Sequence, residues 1–224
     1  MIKNTWILGI VLTVSNASQF SYNVGVNVAT QYIEQGGQTQ NSTFYSTGVE
    51  VGYKTFTFAA EQGHAPDTDF EEVALSLHYS TDLTSDVSLE VGYVRLDYAQ
   101  DNSFGNELEA IFSYSGFSDI GLFLAGYYNH EAEGFYSEAG ADYSVELSEG
   151  LALNFYGLVG ADFGFTTPEF DGSNVIEMGA ELVKALAPHT EAYASLHQTY
   201  RLQDLKKAGE KDHTWMNFGV GYSF

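Results

Sequence analysis

The last nine residues read Met216-Asn217-Phe218-Gly219-Val220-Gly221-Tyr222-Ser223-Phe224. Apolar side chains hold every second position through to Phe224, and asparagine, glycine and serine fill the places between. In an extended strand successive side chains point to opposite faces. The segment therefore offers one apolar face and one small or polar face. The same period runs back through the chain: Tyr22-x-Val24-x-Val26-x-Val28, Val49-x-Val51-x-Tyr53, Phe56-x-Phe58, Val73-x-Leu75-x-Leu77-x-Tyr79, Val87-x-Leu89-x-Val91-x-Tyr93, and Leu108-x-Ala110-x-Phe112-x-Tyr114. It continues in Ile120-x-Leu122-x-Leu124, Ala139 to Leu147, Leu151-x-Leu153-x-Phe155, Ile176-x-Met178-x-Ala180-x-Leu182 and Ala192-x-Ala194-x-Leu196. About twelve strands are predicted, and beyond the first segment of the chain no helical period competes with them.

Two places break the rule. Arg95 and Asp97 fall on the apolar phase after Tyr93, which predicts either a bulge or a strand that runs past the apolar zone into water. Phe123 and Tyr127 fall on the polar phase.

Composition narrows the class. The 224 residues carry 8 Lys+Arg against 30 Asp+Glu, a formal charge of −22, yet only 17% of them are charged. Sixteen Tyr, sixteen Phe and two Trp are too many aromatics for a disordered acidic chain. The absence of cysteine removes disulfide scaffolds, thiolate metal sites and a cysteine nucleophile together. A sequence pI near 4.2 argues against nucleic acid as a partner, since phosphate binding needs a basic patch.

Connector lengths choose between a sandwich and a barrel. Long gaps at Glu34–Ser42, Gln62–Phe70, Ala99–Asn106, Asn129–Gly134, Gly164–Ser173 and Leu202–Asp212 alternate with short ones. The short ones are Tyr53-Lys54, Thr81–Ser85, Ser115–Ser118, Ser148–Gly150 and Ala185–His189. Long loops at one end and tight turns at the other are the layout of a transmembrane antiparallel up-and-down β-barrel, with short periplasmic turns and longer extracellular loops. Greek-key crossings of a sandwich do not sort loops in this way.

At the amino terminus, Lys3 precedes the apolar run Trp6-Ile7-Leu8-Gly9-Ile10-Val11-Leu12-Thr13-Val14, and Ser15-Asn16-Ala17 places small residues at the −3 and −1 positions of a cut. This is the pattern of a signal peptide over 1–17, with cleavage after Ala17. The run of nine residues is well short of the roughly 20 that a spanning helix needs. Residues 18–224 form the single barrel domain, with a charge of 7 − 30 = −23.

The carboxyl-terminal strand, Met216, Phe218, Val220, Tyr222 and Phe224, resembles the strand by which outer-membrane β-barrels are recognised for assembly. The resemblance implies the barrel-assembly machinery, outer-membrane lipid and lipopolysaccharide as partners. Val87-Ser88-Leu89-Glu90-Val91-Gly92-Tyr93 and Tyr143-Ser144-Val145-Glu146-Leu147-Ser148-Glu149-Gly150-Leu151-Ala152-Leu153 resemble the hairpin phrases of the TorF-family porins. That similarity implies a small pore-forming barrel, and the reading as a whole expects a monomer in the bacterial outer membrane.

If the apolar phase meets lipid, the other phase faces the bore. It carries Glu50, Glu61, Glu72, Glu90, Glu107, Glu109, Glu138, Asp142, Glu146, Asp162, Glu177, Glu181 and Glu191, with His78, His197 and Arg201 as the few basic groups and glycines interleaved. Unpaired carboxylates cost several kcal/mol each in a dry core. A water-filled bore solves this, and its acids would favour small cationic or other hydrophilic solutes. The alternative is a filled bore in which the acids bond to Tyr, Ser and Asn.

A second acidic set lies in the loops: Asp67, Asp69, Asp101, Glu131, Glu133, Glu169, Asp171, Glu210 and Asp212, with Lys206, Lys207 and Lys211 in the last loop. Asp67-Thr68-Asp69 lacks the glycine and distal glutamate of a calcium loop, so no metal or other cofactor is expected. Enzymatic barrels are the rival class. His78-Tyr79-Ser80 with Glu90 looks like the His-x-Ser arrangement of outer-membrane lipid A deacylases. His64, His130 and His213 lie near rim acids in the manner of a barrel protease. The His-x-Ser triplet falls at the periplasmic end on the bore phase, away from outer-leaflet lipid, and no catalytic set is expected. A non-conducting structural or binding barrel is the nearer competitor.

Overall fold

The computed structural model describes residues 20–34, 37–117, 119–166 and 171–224. The signal segment expected over 1–17, and Glu169, lie outside them. Among the described residues there are fourteen strands: β1 (Phe20–Ala29), β2 (Tyr32–Glu34), β3 (Gly37–Gln40), β4 (Phe44–Tyr53), β5 (Phe56–Ala65), β6 (Phe70–Asp82) and β7 (Val87–Tyr98), followed by β8 (Ser103–Phe117), β9 (Ile120–Asn129), β10 (Gly134–Ser148), β11 (Leu151–Phe163), β12 (Asp171–Ala187), β13 (Thr190–Arg201) and β14 (His213–Ser223). Twelve of them, all but β2 and β3, form one closed antiparallel barrel, with each strand bonded to its sequence neighbours and β1 closing on β14. The carboxyl-terminal segment is thus a seam strand: Val24 sits opposite Tyr222 and Val26 opposite Val220. Phe224 exchanges two 3.0 Å backbone hydrogen bonds with Tyr22.

The alternation resolves onto two faces. Val24, Val26, Phe58, Leu75, Leu77, Leu122, Leu124, Leu196, Phe218 and Val220 are exposed on the outside, as are nearly all apolar-phase residues. Such a surface has no place in water at this extent. A strand of ten residues such as β1 is about 33 Å long at ~3.3 Å per residue, or about 25 Å along the axis at ~40° tilt. That is the height of the apolar band on transmembrane barrels. Aromatic rings edge the band at both ends. Phe20, Tyr22, Tyr53, Phe56, Tyr79, Tyr114, Phe117, Tyr143, Tyr222 and Phe224 lie at the turn end, and Tyr45, Tyr93, Phe104, Tyr128, Phe135, Phe163 and Tyr200 toward the loop end. Paired rings in this position present an apolar body and a polar tip to an interface.

Arg95 and Asp97 mark no bulge, since β7 stays in register with β6 and β8 throughout. The strand runs beyond the apolar band instead. There Arg95 binds Asp97 at 2.7 Å and lies over the Phe104 ring, 4.3 Å from its centroid. The actual register shifts fall at strand ends, between Gly160 and Ala161, Tyr114 and Phe117, Glu146 and Ser148, and Ala185 and Ala187.

The connections depart from the expected lengths. β5 and β8 extend further than the alternation suggests, so the loop-end connections 66–69, 99–102 and 130–133 are as tight as the turn 83–86. Asp69, Asn102 and Glu133 take positive φ there, the backbone cost of reversing the chain so abruptly. The connection 30–43 contains the separate β2–β3 hairpin, and 202–212 contains a helix, α1 (Gln203–Ala208), absent from the expected pattern. A six-residue helix is too short to show a period; it stops at Gly209, whose φ of 90° suits glycine.

Candidate functional site: the inner face of the barrel

Strand register fixes which side chains share the inside, because directly paired residues point to one face. Following the pairs around the wall places Glu50, Glu61, Glu72, Glu90, Glu107, Glu109, Glu138, Asp142, Glu146, Asp162, Glu177, Glu181 and Glu191 together on the inner face. They are not equivalent in height or exposure. Glu72, Glu107, Glu109 and Asp162 are buried near the loop end, whereas Glu146 is exposed at the turn end. Glu50, Glu61, Glu90, Glu138, Asp142, Glu177, Glu181 and Glu191 are half-buried between these extremes.

Neutral donors engage much of this set. Asn23 donates to Glu50 at 3.0 Å, Tyr32 to Glu72 at 3.0 Å, Ser80 to Glu90 at 2.5 Å and Asn129 to Glu107 at 3.1 Å. Tyr127 donates to Glu138 at 3.0 Å and Asn154 to Glu181 at 3.2 Å. Glu177 accepts from Tyr156 at 2.5 Å and from Thr199 at 3.2 Å. Asp162 accepts from the backbone N–H groups of Phe165 and Thr166 and from the Asn174 amide. Neutral donors orient a carboxylate without cancelling its charge.

Basic groups are scarce on this face. Arg201 is the one lysine or arginine there among the described residues, and it is wholly buried. Its Nε donates to the Lys211 carbonyl at 3.1 Å and its backbone N–H to Asp212 at 2.8 Å, so it fastens the last loop to the wall. His78 Nδ1 lies 3.4 Å from both Glu90 and Glu109. His197 stacks on Trp215 with ring centroids 3.8 Å apart, and its two ring nitrogens meet Tyr156 and Ser195.

Aromatic residues on the polar phase are the feature that the sequence reading largely missed. Phe123 and Tyr127 do point inward, and Tyr136, Tyr156, Tyr193, Phe44, Phe70 and Trp215 join them. The signal existed, since each occupies the phase of the carboxylates. The interleaved glycines explain how they fit. A Cβ at Gly63 would strike the Phe44 ring, at Gly160 the Tyr136 ring, at Gly179 the Tyr156 ring and at Gly219 the Tyr193 ring. Each glycine is a slot in which a neighbouring strand's ring lies flat against the wall.

Five of these rings take part in two clusters, one at the loop end and one reaching from there toward the middle of the barrel. Ala29, Phe44, Ala65 and Phe70 enclose Tyr32 from the β2–β3 connection, with Tyr98 against them. Ile111, Ala125, Tyr127 and Tyr136 enclose a second, with Phe123 and Phe165 against it. Leu205 of α1 is also buried. The inside is therefore filled by side chains toward the loop end, whereas Glu146 is exposed at the turn end.

The other candidates are dispersed. Ser80 donates to Glu90 while His78 faces Glu90 and Glu109, so the His-x-Ser triplet is arranged around carboxylates. His64 lies 3.7 Å from Glu71 and His213 3.9 Å from Glu210, at different connections, and His130 opens the 130–133 turn. Asp67 and Asp69 flank a turn in which Thr68 bonds to Gln40 and to the Ala65 carbonyl. Among the described residues no group of three His, Asp or Glu is placed to hold a metal ion. Lys206 and Lys207 end α1, and Lys211 follows it.

A closed twelve-stranded antiparallel wall, apolar outside and acidic inside, is a barrel of the porin type. Among solved structures the chain is similar to the KdgM porin at a TM-score of 0.65 and 13% identity, covering 90% of this chain and 99% of that one. It is similar to the KdgM porin in complex with disordered oligogalacturonate at 0.62 and 12%, covering 91% and 99%. For the NanC porin the values are 0.60 and 10%, covering 89% and 98%. At these identities the likeness is one of fold. No family model and no curated protein matches the sequence, so nothing ties the chain to the TorF family.

Proposed function

We propose that the chain is an outer-membrane diffusion channel for small hydrophilic solutes with a preference for cations. One observation carries the reading: among the described residues, thirteen carboxylates share the inner face with a single arginine. Their negative potential, set in a low-dielectric wall, concentrates cations along the axis. A polyanion such as the oligogalacturonate bound to the KdgM porin would meet repulsion here, so the solute class differs from that of a barrel with the same fold. The apolar band with aromatic edges supports a place in the bacterial outer membrane, with lipid and lipopolysaccharide around it.

A second reading has its own support. Filling of the loop end by two aromatic clusters favours a closed barrel with a structural or binding role. Liposome swelling with the refolded protein separates the two. A channel of the proposed kind admits the hydrochloride of a small cationic amino acid faster than the sodium salt of an anionic one of similar size. Swelling no faster than in protein-free liposomes would leave the closed barrel.

A further inference from the structure

The 30–43 connection does more than join two strands. Tyr32 begins β2, yet it is only 3% exposed. Its ring stacks on Phe44 with centroids 4.4 Å apart and planes 9° apart, and lies 5.9 Å from Phe70. The floor beneath it consists of inward-facing residues at the loop ends of consecutive wall strands: Ala29 on β1, Phe44 on β4, Ala65 on β5, Phe70 on β6 and Tyr98 on β7. A side chain that touches the inside of so much of the wall lies within the mouth, not above it.

Three further contacts hold the connection there. The Tyr32 hydroxyl donates to Glu72 at 3.0 Å. Thr68 donates to Gln40 at 2.7 Å, tying the end of β3 to the 66–69 turn. Thr30 and Met216 exchange hydrogen bonds of 2.9 and 3.0 Å, fixing the start of the connection to β14. A surface loop needs none of these, because its backbone is satisfied by water. Aromatic stacking and burial of this kind hold an element in place through its own packing.

We infer that Tyr32, held inside the loop-end mouth by the 30–43 connection, is a constriction and sets the size of what passes. The word "passes" rests on the channel reading, but the barrier itself is testable without conductance. The chain has no cysteine, so Ser76→Cys puts a single thiol on the inner face of β6, deeper than Glu72 on the same strand. Intact cells lacking their major porins are exposed to a maleimide carried on a short polyethylene glycol. Tyr32→Ala is expected to raise the labelling rate at least tenfold over the Ser76→Cys parent. If Tyr32→Ala does not assemble, deletion of 32–39, which removes the ring and leaves all twelve barrel strands intact, carries the same expectation.

A rate within twofold of the parent, in barrels that keep their heat-modifiable mobility, overturns the constriction. Conductance then decides the channel separately. A conducting parent with unchanged labelling keeps the channel and removes the constriction. A silent parent with accelerated labelling in the variant keeps the constriction and removes the open channel.

Discussion

Neutralising Glu138, Asp142 and Glu146 together with glutamine or asparagine tests where the selectivity field arises. The three occupy every fourth position on the inner face of β10. At ~3.3 Å per residue they are about 13 Å apart, sampling the bore from its middle to its turn end. Twelve strands about 4.8 Å apart and tilted near 40° put the backbone about 12 Å from the axis. A carboxylate reaching about 5 Å inward leaves about 7 Å to an ion on the axis. In water two unit charges at that distance interact by about 0.6 kcal/mol, and a screening length of about 10 Å at 0.1 M leaves roughly half. The cation gains and the anion loses this amount, so one carboxylate biases K⁺ over Cl⁻ by about 0.6 kcal/mol, or about threefold.

Charges further apart than a screening length act on a passing ion one at a time. The triple variant should therefore lower the permeability ratio about threefold at 0.1 M, and only about 1.2-fold at 1 M, where screening falls to about 3 Å. Reversal potentials in KCl gradients read both values. Glutamine at Glu131, Glu133 and Glu169 in the loops should change the ratio less than about 1.5-fold, because rim charges are exposed and screened. Equal effects of the two triples would refute the reasoning and place the field in the loops.

Deleting Phe224, or replacing it with Asp, should reduce the heat-modifiable band in outer membranes, because both remove the ring stacked on Tyr22 and the deletion also removes a pair of backbone bonds across the seam; wild-type levels would count against it. Gly219→Val should lower folded yield by displacing the Tyr193 ring from its slot, whereas Gly209→Asn, with nothing near its Cβ and a left-handed φ that Asn tolerates, should not; a refolding yield in detergent compares them. Epitope tags in 66–69 or 202–212 should be labelled on intact cells and a tag in 83–86 should not; the reverse would invert the barrel. Partial burial pushes the Glu131 carboxyl up, but the Asn106 side-chain and backbone donors outweigh it and hold it below the ordinary glutamate range. A lowered folded pKa stabilises above the unfolded value and is lost on acidification through the folded one. Protection of the Asn106 amide against hydrogen exchange should therefore persist below about pH 4.3, the ordinary glutamate value, and protection already lost at that pH would contradict it.

The wall was legible because its period is local. Val24 and Phe218 declare their faces through their immediate neighbours, and a seam strand such as β14 needs no knowledge of β1 to be recognised. The inward carboxylates followed from the same phase. The filling of the mouth was not legible, because Tyr32, Phe165 and Leu205 sit in connections, where no period assigns a direction. The ring slots were half-legible: Tyr156 lies on the carboxylate phase, but that it covers Gly179 depends on the register between β11 and β12. Strand ends such as Ser103 and Ala65 were missed because pairing continues beyond the apolar band, where polar residues no longer alternate with apolar ones.

The central claim is that the carboxylates on the inner face make this barrel a cation-preferring channel, and single-channel recording of the refolded wild-type protein in a planar bilayer under a KCl gradient tests it most directly. The account predicts stable conductance steps with a reversal potential on the K⁺ side, shrinking as salt rises from 0.1 to 1 M with the screening length. A reversal potential on the Cl⁻ side, or a folded barrel without steps, would contradict it.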